Sequence, residues 1–495
     1  MKYDVIIIGS GLGGLECAHI LSQAGMSVLL LERGTQAGGC LLSYKRHGIA
    51  FDTGFHYVGG LDEGQSLHLA FRHLGLLHLP WQRLDPHFDR VTIGERTFAF
   101  AEGYDMFAKT LAADFPTERD GLNKYVNMLK QAEKHQFDAL NPQISKPSQF
   151  FNLFETSAYH YLTETFHDPL LINILSGTSL KMELRKESLP LFTFAHGNSS
   201  FIESSWRLKG DGSLIVNSLV NDIRKYGGKI ICNTEVQELV EKNGKLVYAI
   251  CSNGETYEGS IFISNVHPAA TCNLVKQSDR MKKIYRNRLA SMENTFGMFT
   301  VSLCLKGQSL KYFNWNQYVY KQPNVWTFYL EDGPVNGILI SSRIPEDGSE
   351  YLQQLDLLTP MTWDKCEQWN HTKVGCRGNE YKAMKKRVAD ECITLAEKFI
   401  PGLRDMITGY YTSTPLTYRD YTLTPEGSAY GLRKDYRDPV ITLLSPRTPI
   451  SNLYLTGQNL MLHGLHGVTM TTLFTCAEIL GKEHIWNIVK NQKEI

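Results

Sequence analysis

Neither sign of charge is in excess in these 495 residues: 51 Lys and Arg are matched by 51 Asp and Glu. A nucleic-acid-binding protein needs a basic surplus to offset phosphate, so no nucleic-acid partner is expected. No run approaches ~18 uninterrupted apolar residues, the length that spans a bilayer. The ten cysteines are scattered and none forms a C-x-x-C pair. Neither a zinc site nor a redox dithiol is expected, and the sequence suggests no metal. H-E-x-x-H, P-loop and Ser-His-Asp patterns are missing. So are internal repeats, low-complexity tracts and flexible linkers, which argues against modules strung along the chain. Met1 leads directly into Val5-Ile6-Ile7-Ile8-Gly9, leaving no room for a cleavable signal, so a cytoplasmic location is expected.

What is present begins at residue 3. An apolar, β-branched run over 3–8 reads as a buried parallel strand. Gly9-Ser10-Gly11-Leu12-Gly13-Gly14 follows, then a helical pattern over 15–24, a second strand over 27–31, and Glu32. Strand, glycine loop, helix, strand and acid are the parts of a dinucleotide site. Gly9 permits the tight turn, Gly11 lets backbone approach a diphosphate, and Gly14 lets the helix pack close to the strand. Ser10, Leu12 and Gly13 belong to the same loop, and the helix N-terminus favours the diphosphate charge. Glu32 is placed to accept from ribose hydroxyls, and its charge disfavours a 2′-phosphate.

The next residues separate one dinucleotide from another. Glu32-Arg33, a short gap, Gly38-Gly39, and then Phe51-Asp52-Thr53-Gly54-Phe55-His56-Tyr57 resemble the N-terminus of phytoene desaturase-type flavoproteins, within the wider amine-oxidase superfamily. The run FDTGFHYVGG is most similar to the branch containing carotenoid isomerase and retinol saturase. The resemblance implies FAD, held by Gly9, Ser10, Gly11, Leu12, Gly13, Gly14, Glu32, Arg33, Gly38 and Gly39. It also places the residues around Gly54-Phe55-His56 near the flavin ring.

Farther along, 88–100 reads as a hairpin turning at Gly94-Glu95, and 104–135 as helix broken at Pro116. Residues 147–205 are rich in aromatics, Phe150 and Phe151 among them, and suit amphipathic helices. Residues 210–265 return to an α/β pattern, with Asn253-Gly254 read as a type I′ hairpin turn. In the family, backbone at the position of Val236 contacts the adenine side, and Asn265 opens an S-N-V-H-P stretch typical of the branch. Strands are expected at 299–305, 325–330 and 337–340, and a helix at 379–399. The aromatics of 310–330 fit either an apolar tunnel for a long unsaturated ligand or ordinary sheet enrichment.

At the C-terminus, 452–457 reads as a strand ending in Gly457, and Gly467-Val468-Thr469 as the start of an apolar helix. By resemblance, this helix N-terminus stabilises charge on the reduced flavin. Many relatives carry an acid after the strand glycine. Gln458 stands there instead, and its amide suits ribityl hydroxyls. Glu483 to Val489 reads as a final helix, either packed on the protein or lying on a bilayer with Trp486 at the interface.

These readings predict an α/β fold with a discontinuous Rossmann-type FAD-binding domain (1–75, 206–288 and 446–495). A mixed α+β substrate domain of the amine-oxidase/phytoene-desaturase kind is expected from 76–205 and 289–445. The expected activity is oxidoreduction of C–C or C=C bonds in an apolar isoprenoid or polyene, by hydride exchange at flavin N5. NAD(P)H enters as a transient electron donor, since only one fingerprint is present. Peripheral membrane contact is expected from the lipid-soluble substrate class. A flavin amine oxidase and a prenyl-binding escort protein without flavin are the alternatives. His56, His463 and His466 are candidate proton relays, because imidazole titrates near neutrality. Tyr57 and Tyr430 are alternative donors. The oligomeric state is left open.

Overall fold

The computed structural model describes residues 2–144 and 152–490, so Phe150 and Phe151 lie outside the described residues. Two seven-stranded sheets organise the chain. In the first, Lys2–Ile8 lies between Val28–Leu31 and Thr256–Ser264, all parallel. Lys229–Ile231 extends one side, and Leu453–Leu455 adds a further parallel strand beside Thr256–Ser264. Val5 to Ile8 and Val28 to Leu31 are buried, as strands covered on both faces must be. The Rossmann-type sheet is therefore assembled from three separated stretches of sequence.

The second sheet is mixed. Its order is Ile407–Ser413, Gly297–Leu305, Gln354–Met361, Gly337–Ser342, Asn316–Tyr320, His87–Ile93 and Arg96–Ala101. The central strands are buried along their whole length. One face packs on helix Gly378–Glu397, and the other meets the aromatic core around helices Arg119–Lys134 and Leu191–Glu203. The expected hairpin is there, turning between Ile93 and Arg96, and the helical stretch breaks at Pro116.

Three expectations about elements need correction. The run 325–330 is a series of turns, with Thr327 N and Phe328 N both donating to Asn324 O at 2.9 Å. Its aromatics serve a side-chain contact rather than a ladder: Trp326 Nε1 donates to Ser176 Oγ (2.9 Å) and Tyr329 Oη to Leu184 O (2.7 Å). The Asn253-Gly254 hairpin exists, but Asn253 has negative φ. The Gly254 N–H donates to Cys251 O (3.0 Å), so Ser252-Asn253 form the turn and Gly254, at φ +84°, the left-handed residue after it. The two-residue I′ turn lies one hairpin earlier, at Asn243 (φ +53°) and Gly244 (φ +78°), where Lys242 pairs with Lys245. Finally, the C-terminal helix spans Gly464–Leu480 and so opens three residues before Gly467. Gly467 is demanded by packing, since a Cβ there would lie 2.6 Å from Leu462 Cβ. The final helix, Lys482–Lys490, packs on the protein through buried Ile485 and Val489, with Trp486 half-buried.

Candidate active site

The glycine cradle is built by close approach. A Cβ on Gly14 would lie 2.1 Å from Gly9 O, and one on Gly39 would lie 2.8 Å from Gly11 Cα. Only glycine fits either place, and this brings Gly38-Gly39 against the 9–14 loop. Gly38 N donates to Ser10 O (3.1 Å). Helix Leu12–Gln23 has Gly11 as N-cap and no side-chain cap, which leaves its first turn suited to an anion. Glu32 ties the cradle together: its Oε2 accepts from Ser10 N (2.9 Å) and Ser10 Oγ (2.5 Å), and its Oε1 from Gly34 N (2.6 Å). The strand approach to Val236 runs alongside, with Thr234 N donating to Glu32 O (2.8 Å).

Asn265 and Gly457 close the cradle from below. The Asn265 amide oxygen accepts from Gly11 N (3.2 Å) and Gly14 N (3.3 Å). A Cβ at Gly457, whose φ is +91°, would lie 2.5 Å from the same amide. Arg33 turns elsewhere, donating to Tyr421 O (2.9 Å) and Asp420 O (3.3 Å), which fastens the second region over the first. Gln458 is half-buried in the loop that follows Gly457. Thr469 faces the first helix, where its Oγ1 donates to Glu16 Oε1 (2.6 Å), and Val468 is buried beside it. The buried Lys434 holds the loop before this helix by donating to Asn459 O (2.7 Å), Leu460 O (3.0 Å) and Thr442 O (3.0 Å).

Beyond the cradle, His56, Lys181, Tyr418, Tyr430 and His463 are enclosed by protein on every side yet retain accessible surface. Contacts join them into one wall. Tyr418 Oη donates to Thr53 O (3.3 Å), the Tyr430 and His463 rings lie 4.6 Å apart, and His463 Nε2 meets Lys181 O at 2.8 Å. Lys181 Nζ donates to Tyr57 Oη (3.5 Å) and sits 4.0 Å from the Phe201 ring centroid.

Behind this wall runs a buried polar network. Tyr57 Oη donates to Asp89 Oδ2 (2.9 Å) and lies 2.8 Å from Tyr318 Oη. Asn316 Nδ2 donates to Asp89 Oδ1 (2.9 Å), and Arg207 donates to Asn316 Oδ1 (2.7 Å). Burial raises the Asp89 carboxyl, while Lys181 and its bonds to Asn316 and Tyr57 pull it back. Burial pushes the Lys181 ammonium down to about 8, with Asp89 opposing.

The candidate histidines are held uncharged. Burial pushes His56 to about 4, helped by Arg343 and Arg207. It pushes His463 to about 4 and His466 to about 3. His466 points away from the wall toward Ser66 Oγ (2.9 Å), with its ring 4.5 Å from that of His196. Sequence reasoning missed Lys181, Asp89, Asn316 and Tyr318. None has a motif, and they converge only through the second sheet. Tyr57, part of the quoted run, was the available signal.

Residues 7–74 match the family described as an NAD(P)-binding Rossmann-like domain. Over 99% of its length the chain is 25% identical to human all-trans-retinol 13,14-reductase, covering 87% of that protein. It is also 25% identical, over 92% of its length, to prolycopene isomerase 2 of an Oncidium hybrid cultivar, 80% of which is covered. The chain is a homologue of both enzymes. A solved structure of putrescine oxidase is similar at a TM-score of 0.65 and 13% identity, covering 99% of each chain, and shows the fold that this homologue shares. The chain is thus similar over nearly its whole length to enzymes with these names, and it shares the putrescine oxidase fold.

Proposed function

We propose that this protein binds FAD in the glycine cradle and exchanges hydrogen with C–C or C=C bonds of an apolar isoprenoid or polyene. The enclosed wall next to the cradle is the observation that carries the reading. It is formed by His56, Tyr418, Tyr430 and His463, with one cation at Lys181 resting over the Phe201 ring. Such a space suits a flat conjugated chain. It disfavours an amine substrate, whose ammonium would meet Lys181 and the nearby Arg343 and Arg207.

The fit to FAD rests on the cradle. Gly9, Gly11, Gly14 and Gly39 leave room only for backbone, the uncapped start of helix Leu12–Gln23 favours diphosphate, and Glu32 and the 234–236 segment border the nucleoside end. Bound there, FAD supplies hydride exchange at N5. The chain's own residues bind and orient. His463 and Tyr430 form one side of the wall, and the start of helix Gly464–Leu480, which has no side-chain cap, favours negative charge beside it. The neutral histidines exclude water without adding charge. NAD(P)H acts as a transient donor. The lipid-soluble substrate is met at a membrane surface by peripheral contact; no helix among the described residues is long and apolar enough to cross a membrane.

The test is a visible spectrum of the purified protein, then anaerobic addition of NADPH or NADH, then incubation with all-trans-retinol or a cis-lycopene. Flavin absorbance that bleaches with nicotinamide, followed by a product two hydrogens heavier, is the expected result. A protein that neither carries nor takes up FAD overturns the reading.

A further inference from the structure

We propose that Lys181 is the proton donor of this site, a catalytic residue held in place by Tyr57 and Asp89. The inference rests on the function proposed above and names the group that completes its chemistry. Saturating a C=C bond needs a hydride equivalent at one carbon and a proton at the other. The three histidine candidates do not supply that proton as imidazolium. His56 and His463 are pushed to about 4 and His466 to about 3, so all are neutral near pH 7. His463 also has its Nε2 committed to the Lys181 carbonyl, and His466 has its Nε2 on Ser66. Tyr57 and Tyr318 are raised well above the ordinary phenol value and are bonded to each other and to Asp89, which makes them poor acids.

Lys181 differs from all of these. Its ammonium has one long hydrogen bond, 3.5 Å to Tyr57 Oη, and otherwise rests over the Phe201 ring at 4.0 Å. It is deeply enclosed yet keeps accessible surface, and its ammonium has no second hydrogen bond among the described residues. Another lysine in the same protein shows what a structural role looks like. Lys434 is buried too, but all three of its donors end on backbone carbonyls. Asp89 lies behind Tyr57 and opposes the downward push of burial on the Lys181 ammonium. The charged or titratable groups around Lys181 are Tyr57, Asp89, Tyr318, Tyr430 and His463, with Arg207 beyond Asn316.

Two electrons and one hydrogen, drawn from a dihydronicotinamide by way of the flavin, form one C–H bond. An N–H bond of the Lys181 ammonium breaks, and its proton forms the second C–H bond with the electrons of the former π bond. The nicotinamide is oxidised and the alkene reduced. The neutral amine takes a proton from water after the product leaves. An acid that titrates slightly above the working pH suits this task.

The test uses the full-length holoenzyme with all-trans-retinol as probe, comparing wild type with Lys181→Met, Lys181→Arg and Asp89→Asn. Flavin content and its bleaching by NADPH are measured alongside saturation rates from about pH 6 to 10. Competitive labelling of the Lys181 amine, read by peptide mass spectrometry, follows its titration without turnover. In wild type, saturation is expected to fall as pH rises through about 8, and the labelling midpoint to coincide with that limb. Lys181→Met should bleach normally and lose roughly 100- to 10,000-fold in saturation. Lys181→Arg keeps the charge but titrates far higher, so it should stay slow and lose the alkaline limb. Asp89→Asn removes the countercharge, so both the labelling midpoint and the limb should move to lower pH. Normal saturation by Lys181→Arg would reduce Lys181 to a structural charge and overturn the proposal. So would an unimpaired Lys181→Met. Either result leaves the functional reading standing. A wild type that binds flavin and saturates no polyene overturns both.

Discussion

Glu16 shows how one side chain can set the pH response of the cofactor region. It lies fully buried in the first helix, with one carboxylate oxygen accepting from Thr469 Oγ1 and the other without a hydrogen-bond partner among the described residues. Burial pushes its carboxyl up to about 8, against the opposing pull of the nearby Thr469 and Thr472 hydroxyls. A folded-state value above the unfolded one means that the native protein binds the extra proton. Stability from this group is therefore full below about 4.5 and declines as pH rises toward 8. Glu16→Gln keeps an acceptor for Thr469 and removes the titration. We expect the variant to be more stable than wild type at pH 8, by roughly a few kcal/mol, and equal to it near pH 5. Urea denaturation at the two pH values checks this, and an equal difference at both would exclude it. At this scale the cradle glycines were legible in the sequence because each answers a local steric demand. Glu16 was not, since a carboxyl four residues past the start of a helix looks solvated until a second helix is seen to cover it.

Among the elements, hairpins show how far local signals reach. Two Asn-Gly pairs flank the strand Lys245–Cys251, and both end in a left-handed glycine, yet only Asn243-Gly244 forms the two-residue turn. At 253–254 the ladder closes one residue wider, with Cys251 N donating to Glu255 O (2.9 Å). The dipeptide predicts a turn, and the pairing of the strands decides which one. Asn243 is held at φ +53°, where asparagine is tolerated and a β-branched residue is not. Asn243→Val should cost about 1–2 kcal/mol, while Asn243→Gly should be close to neutral. Equilibrium unfolding of the two variants measures this directly, and equal stability of both would contradict the assigned turn. Segment 325–330 shows the converse: a β-prone run forms turns, with Val325 N donating to Asn173 Oδ1 (2.9 Å) and Trp326 Nε1 to Ser176 Oγ (2.9 Å) of the helix Pro169–Ser176.

Across the whole molecule, a buried ion pair ties a short two-stranded hairpin to the end of the second sheet. Asp52, at the end of the strand Ile49–Asp52, pairs with Arg343 after Gly337–Ser342, and its other oxygen accepts from Gly212 N (2.9 Å). Burial raises Asp52 to about 7 even though Arg343 and Gly212 pull it down. Arg343→Met strands that carboxylate, so a loss of about 3–5 kcal/mol is expected at pH 8. The loss should be smaller near pH 5, where Asp52 is protonated in the fold and the missing cation matters less. Denaturation midpoints at both pH values test it, and a loss independent of pH would assign the effect to packing instead.

Strand periodicity, the glycine loop, Glu32 and the break at Pro116 depend on residues within a turn or two of each other, so the sequence alone determined the Rossmann-type unit and most element positions. The proton network was decided only by tertiary structure. Tyr57, Asp89, Lys181, Arg207, Asn316 and Tyr318 come from distant parts of the chain and carry no shared spacing. Their protonation follows from enclosure and from neighbours across the sheet, and neither exists until the chain has folded.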